Sequence, residues 1–434
     1  MTDTRQPRPG AAGAPLDSSV DQRPANALTV PAFRLLWANN VFYFLVMNAQ
    51  RFVIGWFVLD GLDGNEQDQA LAVFAFGIPS IFIVLHAGVW ADRHDRRRLL
   101  MGSQVASLIA MAAFAALLEV DQLTFNWVLL LAVFAGVAAA IGQPVRSALV
   151  PALVPRVQLF SAIAVTALAM TMSMILGPVV SEAVGAAFGF AAAFWFLAGL
   201  LAVGVVFLVP LRVPEHEAED PADASSTISS SRDSVFRQTA EAFRHVLGDS
   251  ALKKLFLLLT VAGLTVNPAV MVTLQAFVKE ELGKEAGDAA PLLALMGVGI
   301  AISSVIVMRK GDMANKGAAF QRALMTGSTL TFLMGRVTEY WMLLPLVTIM
   351  GLAGGFYINM NQGLIQANTP QRLMGRVMAL FTLIQVGLLP VGSLMIGVIS
   401  SFIGIGNTIS LVAAICLITG IVVYTTDADF KKLS

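Results

Sequence analysis

Long uncharged apolar runs separated by short charged turns organise this 434-residue chain. Leu71 to Trp90 holds no Asp, Glu, Lys or Arg, and neither does Leu99 to Leu118. Between them stands the knot Asp92-Arg93-His94-Asp95-Arg96-Arg97-Arg98. Runs of this length suit helices crossing a hydrocarbon core about 30 Å thick, whereas barrel strands would show about ten-residue alternation. The pattern predicts twelve spanning helices, over 35–60, 71–90, 99–118, 125–144, 160–187, 190–210, 255–278, 291–308, 319–335, 340–364, 376–400 and 405–424. Residues 1–34, rich in Pro, Ala, Gly and Asp, read as a disordered cytoplasmic tail rather than a signal peptide. A soluble cytoplasmic linker over 212–252, with a helix-like Val235–Leu247, separates a six-helix bundle over 35–211 from a second over 253–425. A short tail over 426–434 follows.

Composition agrees with the class: 57% of residues are hydrophobic and 13% charged, against about 45–50% and about 25% in soluble domains. The expected fold is an all-α membrane protein. Cations tend to collect on the cytoplasmic side. With both termini placed there, only Arg51, Lys279, Lys284 and Arg336 of the 28 Lys and Arg residues fall in the membrane or outside. A zero net charge gives no reason to expect nucleic acid. The single cysteine, Cys416, excludes an intrachain disulfide and a cysteine metal cluster. No Gly-x4-Gly-Lys-[Ser/Thr] phosphate loop occurs, so energy has to come from a gradient. Four histidines without ligand spacing and scarcely an acid at membrane depth argue against an enzyme, a metal or a cofactor. A non-transporting receptor or scaffold remains the reading from another class.

The two halves echo each other. Pro155-Arg156 before the fifth span recurs as Pro370-Gln-Arg372 before the eleventh, and Leu176-Gly-Pro178-Val-Val-Ser181 resembles Leu389-Pro390-Val-Gly-Ser393. Parallel six-span repeats mark secondary transporters, in which one half rocks against the other. The loop Gly88-x3-Asp92-Arg93-x-Asp95-Arg96-Arg97-Arg98 resembles the one between helices two and three of the major facilitator superfamily. Pro144-Val-Arg146-x4-Pro151-x3-Pro155-Arg156, Gly177-Pro178 and Pro370-Gln-Arg372-x2-Gly375-Arg376-Val-Met378 resemble its enterobactin-exporter-like efflux branch. The resemblance covers Leu35 to about Tyr424.

That resemblance implies a monomeric carrier in the cytoplasmic membrane. It would export an amphipathic or siderophore-like molecule by alternating access, with protons as the candidate coupling ion. An importer or uniporter of a small metabolite is the alternative. Gly88 permits close helix approach. Asp92 would then meet a helix N-terminus or pair with Arg146 or Arg376, closing a cytoplasmic latch with Arg93, Arg96, Arg97 and Gly375. The competing reading makes the arginines topology determinants against lipid phosphates. Gly177-Pro178 would kink span five where the halves meet, or be ordinary membrane-helix tolerance. Many proton-driven drug exporters of the superfamily carry an arginine within span four, and 125–144 has none.

Charge inside a span is costly, about 2.5–3.5 kcal/mol at the least, so Arg51 and Glu182 are coupling candidates, with His86 beside the latch. Arg51 and Glu182 both fall toward the outer ends of their helices, where they pair with one another or snorkel separately; Arg51 is also a candidate for an anionic substrate. Asn48, Gln50, Asn267, Asn359, Asn361, Gln362 and Gln385 are candidates for a central cavity, against the plainer role of interhelical hydrogen bonding.

Overall fold

The computed structural model describes residues 27–93, 95–155, 158–212, 243–310, 315–370 and 373–426, and among these all regular structure is helical. Hydrocarbon offers no partner to a backbone N–H or C=O, so spanning segments satisfy these groups within one helix. The first half comprises α1 (Pro31–Trp56), α2 (Glu66–Arg93), α3 (Arg96–Glu119), α4 (Phe125–Leu153), α5 (Leu159–Phe188) and α6 (Phe190–Leu208). In the second half one span is broken into α7 (Ser250–Leu264), α8 (Val266–Met271) and α9 (Leu274–Glu280). There follow α10 (Ala289–Lys310), α11 (Lys316–Met334), α12 (Tyr340–Ala367), α13 (Met374–Ile403) and α14 (Ile405–Thr426). Among the described residues ten helical stretches are long and apolar enough to cross a membrane. With α2 and α11, whose ends carry charge, they make the twelve rods of the predicted fold.

Packing repeats between the halves. α2 lies on α4, α3 on α4 and α3 on α6; α10 lies on α12, α11 on α12 and α11 on α14 in the same relation. Small residues allow the closest of these approaches. A Cβ on Gly136 would strike the Phe76 carbonyl, and one on Gly351 would strike that of Met296. The tight joints repeat too: Gly189 (φ 86°) ends α5 and Gly404 (φ 81°) ends α13, each N–H donating to the carbonyl four residues back at 2.7 Å. Ser181 Oγ donates to the Pro178 carbonyl at 3.0 Å, and Ser393 Oγ to that of Pro390 at 2.8 Å, so the Pro-x2-Ser echo is structural. The halves meet along α2 with α13, where Gly77 faces Pro390, and along α5 with α10, where Gly297 faces Ile175.

Two elements differ from the sequence expectation. The fourth helix does not stop at Pro144 but continues through it and Pro151 to Leu153, which puts Arg146 inside the helix. The span expected over 255–278 breaks at Thr265 and again at 272–273. Pro268 has no N–H for the Leu264 carbonyl, and Gly392 of α13 packs into the resulting step.

Candidate functional site

The two ends of the bundle are built differently. At one end the halves are bridged. There α1 runs into a π-turn, Phe57–Gly61, closed by Leu62 N–H donating to the Phe57 carbonyl at 3.0 Å. The wider turn aims Asp60 at the other half, where Lys279 Nζ stands 3.2 Å from its Oδ1. Asp60 Oδ2 accepts from Trp56 Nε1 at 2.9 Å and from the Ala286 backbone N–H at 2.8 Å, and Lys279 also donates to the Leu59 carbonyl. One turn further in, Gln69 Nε2 donates to Gln275 Oε1 at 2.7 Å, and Gln275 Nε2 donates to the Phe52 carbonyl at 3.0 Å. The ion pair is largely buried, with side-chain exposures of 29% for Lys279 and 18% for Asp60. Shielding strengthens the attraction between the charges and also raises the cost of desolvating them, so the larger effect is expected when one partner is removed and the other is left uncompensated.

Beside this pair the Glu280 carboxyl lies within hydrogen-bonding reach of the Glu66 carboxyl and accepts from the Glu66 backbone N–H. Two carboxyl groups bond only when one is protonated. Partial burial and then the Glu66 carboxyl push Glu280 up to about 8, with Glu281 adding to the effect.

At the arginine-rich end the described bonds stay within the first half. Arg97 Nε donates to the Leu208 carbonyl at 3.0 Å and its Nη2 to that of Val209, meeting the negative end of the α6 dipole. Asp95 caps α3 and lies 3.5 Å from the exposed Arg98. Arg146, 2% exposed, donates through Nη1 to Asn39 and Asn40 and lies 3.7 Å over the Tyr43 ring. Asn39 passes the connection to Gln104 at 2.7 Å and to the Gly204 carbonyl at 2.8 Å, joining α4, α1, α3 and α6. Arg146 is therefore a strut inside one half rather than a residue of a surface turn. The expectation that span four lacks an arginine is corrected, because the helix is longer than the apolar run that announced it.

The side chains of His86, Asp92 and Arg93, the positions Gly88 and Gly375, and residue Arg372 lie outside the described residues. Arg96 and Arg376 are each engaged in an interaction. Gly177 faces its own half: a Cβ there would come within 3.0 Å of the Ala49 nitrogen and the Leu45 carbonyl oxygen. The contact across to α10 is made by Ile175, two residues and about half a turn away. Arg51 and Glu182 are not brought together. Glu182 stands with the charges of Asp288 and Glu285 near the bridged end, while Arg51 lies 5.3 Å from the Phe76 ring.

The polar cavity candidates divide by environment. Gln362 is exposed, and Asn48, Asn267 and Gln385 are half-buried; Asn48 donates to the Phe44 carbonyl of its own helix at 3.0 Å. Gln50 is buried against Met47, and Asn361 is buried beside Tyr357. Asn359 ties α12 to α10 through Ser304 Oγ at 3.2 Å. A groove of about 410 Å³ lined by Arg98, Gly102, Phe134 and Ile141 runs between α3 and α4, on the flank of the first half and away from the junction of the halves. Sequence reasoning missed Asp60 and Lys279. The available signal was that Lys279 is one of the few cations left off the basic side, while Asp60 closes the matching span of the other half.

Known proteins share this architecture. The chain is 24% identical over 387 residues to the multidrug efflux pump Tap of Mycobacterium tuberculosis (strain ATCC 25618 / H37Rv), covering 85% of this chain and 86% of that protein. It is 23% identical over 373 residues to Tap of Mycolicibacterium fortuitum, covering 85% and 88%. The crystal structure of the nucleoside transporter NupG superposes with a TM-score of 0.67 at 13% identity, over 91% of this chain and 98% of that one. The sequence profile of the Major Facilitator Superfamily matches residues 36–391, and with that match over most of its length the chain belongs to this superfamily of membrane transporters.

Proposed function

We propose that the protein is a secondary exporter of small amphipathic molecules working by alternating access, with the bridged end outside and both termini in the cytoplasm. The observation that carries this reading is the Asp60–Lys279 bridge, which ties the two halves at one end, while the described bonds of Arg97 and Arg146 at the other stay within one half. A bundle bridged at one end fits one of the two states that alternating access requires. The charge distribution supports placing the bridged end outside. The Tap relatives are named multidrug efflux pumps, which supports outward transport. A siderophore-like substrate, proton coupling and action as a monomer belong to the same proposal and rest on the sequence resemblance. Import or facilitated passage of a small metabolite is the competing reading, and the nucleoside transporter with the same fold keeps it in view.

The test is transport in proteoliposomes of known orientation, with wild type compared with Asp60→Ala. Protonophore-sensitive movement of dye toward the bridged side, lost in the variant while the protein remains folded, is the expected result. Movement in the opposite direction, or an unaffected variant, contradicts the proposal.

A further inference from the structure

The spans hold an imbalance of charge. Helices α1, α4, α6, α7, α8, α10, α11, α12, α13 and α14 contain no Asp or Glu. Glu182 of α5 stands at the bridged end beside Asp288 and Glu285. The acids of α2, α3 and α9 stand in the first or last turns of those helices. Two arginines, Arg51 and Arg146, lie deep in the bundle against this background.

Arg51 faces the other half. Residues 51, 55 and 59 of the first span lie one turn apart on one stripe. Gly55 abuts Gln275, and the Leu59 carbonyl receives Lys279. Arg51 continues that stripe one turn away from the bridge, toward the end where the halves are not joined by it. It is exposed, although residues 52–56 after it and 49–50 before it are buried, and it forms no ion pair among the described residues. Tyr43, about two turns back on the same helix, carries the Arg146 guanidinium 3.7 Å over its ring. The Nε and Nη2 atoms of Arg146 are buried without a hydrogen-bond partner. Neither cation has a carboxylate partner among the described residues, so this side of the first half carries uncompensated positive charge, which attracts anions and repels cations. Phe44 and Phe76 lie against these guanidinium groups, so a ligand pairing with them also meets aromatic walls.

We propose that the path between the halves selects amphipathic organic anions, a carboxylate, sulfonate or phosphate on an apolar or aromatic body. Arg51 takes the charge and Arg146 adds to the field; organic cations are excluded. This rests on the transporter reading above and narrows its substrate class.

Binding to the purified full-length protein, by fluorescence anisotropy, tests it with carboxyfluorescein as the anionic probe and ethidium as the cationic one. Carboxyfluorescein is expected to bind wild type more tightly than ethidium. Arg51→Gln is expected to weaken the anion by about tenfold or more, the scale of one charge-assisted hydrogen bond, while Arg51→Lys keeps most of the affinity. Within wild type, naphthalenesulfonate should displace the dye where the ammonium compound on the same ring system does not, which requires no variant to fold. Tighter binding of ethidium, no binding of carboxyfluorescein, an unchanged Arg51→Gln or equal displacement by both naphthalene compounds overturns the proposal. Equal displacement by inorganic phosphate assigns the arginines to a small ion and overturns the amphipathic class. Anion-selective binding without transport in proteoliposomes removes the transporter reading alone, and transport of ethidium in preference to carboxyfluorescein removes the anion inference alone.

Discussion

Asp60 holds its position through three contacts of unequal weight. Lys279→Ala removes the ion pair and leaves the Trp56 and Ala286 donors on Asp60, whereas Asp60→Ala leaves the Lys279 charge without its counter-ion and two N–H groups without their acceptor. Loss of Lys279 should shift the balance of conformers by about 1 kcal/mol, roughly fivefold, and loss of Asp60 by more, because unpaired buried donors carry their own penalty. Exchanging the charges, Asp60→Lys with Lys279→Asp, should recover only part of transport. Full recovery would mean that the backbone and indole donors contribute nothing. Arg146 makes a different prediction because its contacts to Asn39, Asn40 and Tyr43 lie inside one half. Arg146→Lys loses the planar guanidinium stacked on Tyr43 and the shared contact to Asn39 and Asn40. It should lower stability by about 2–3 kcal/mol, read as a lower Tm in detergent, with accessibility at the bridged end unchanged.

Among the elements, the spans were legible and their interruptions were not. Twenty apolar residues in a row are a statement about lipid, and each predicted run falls on a helix. Proline is where the reading failed. The apolar run of span four ends at Pro144, but neighbouring helices satisfy the backbone groups a membrane proline frees, so α4 continues with Arg146 in it. Pro268 stood inside a run read as unbroken, and there the helix does break. The Asp60–Lys279 pair was invisible for another reason: its partners are far apart in sequence and each ends an otherwise ordinary span. The echo between halves is visible in short motifs, and the structure adds the matching positive-φ joints Gly189 and Gly404. Gly189→Ala and Gly404→Ala should therefore cost similar amounts, about 1–2 kcal/mol each. Gly199→Ala, in a helix with open space around it, should be neutral in the same thermal melts. A large difference between the first two would break the structural equivalence of the joints.

For the whole molecule, the carboxyl pair makes the bridge sensitive to pH. In the bridged state burial, and then the Glu66 carboxyl, push Glu280 up to about 8; parting the halves exposes it to water and removes Glu66, which returns it toward the ordinary value of 4.5. Below about 4.5 both states hold the proton and the balance is flat. Between about 4.5 and about 8 only the bridged state holds it, so bridging weakens steadily as pH rises, and above about 8 it weakens no further. Other charges at this end are the Lys279–Asp60 ion pair, Glu182 with Asp288 and Glu285, and Glu281, Asp68 and Lys284 nearby in the chain. Glu280→Gln should remove the slope across that window and keep the bridge formed at alkaline pH.

If the Asp60–Lys279 bridge is a gate, it opens, and a distance measured across it reports the opening. Spin labels at Gln67→Cys and Lys284→Cys, in a Cys416→Ser background reconstituted in lipid, report that distance by pulsed electron resonance. A short separation is expected in the otherwise wild-type protein at pH 6, with a second, longer population growing on Lys279→Ala and on raising the pH through 8. A single short distance unchanged by substitution and by pH would make the bridge a fixed part of the scaffold and contradict the gate.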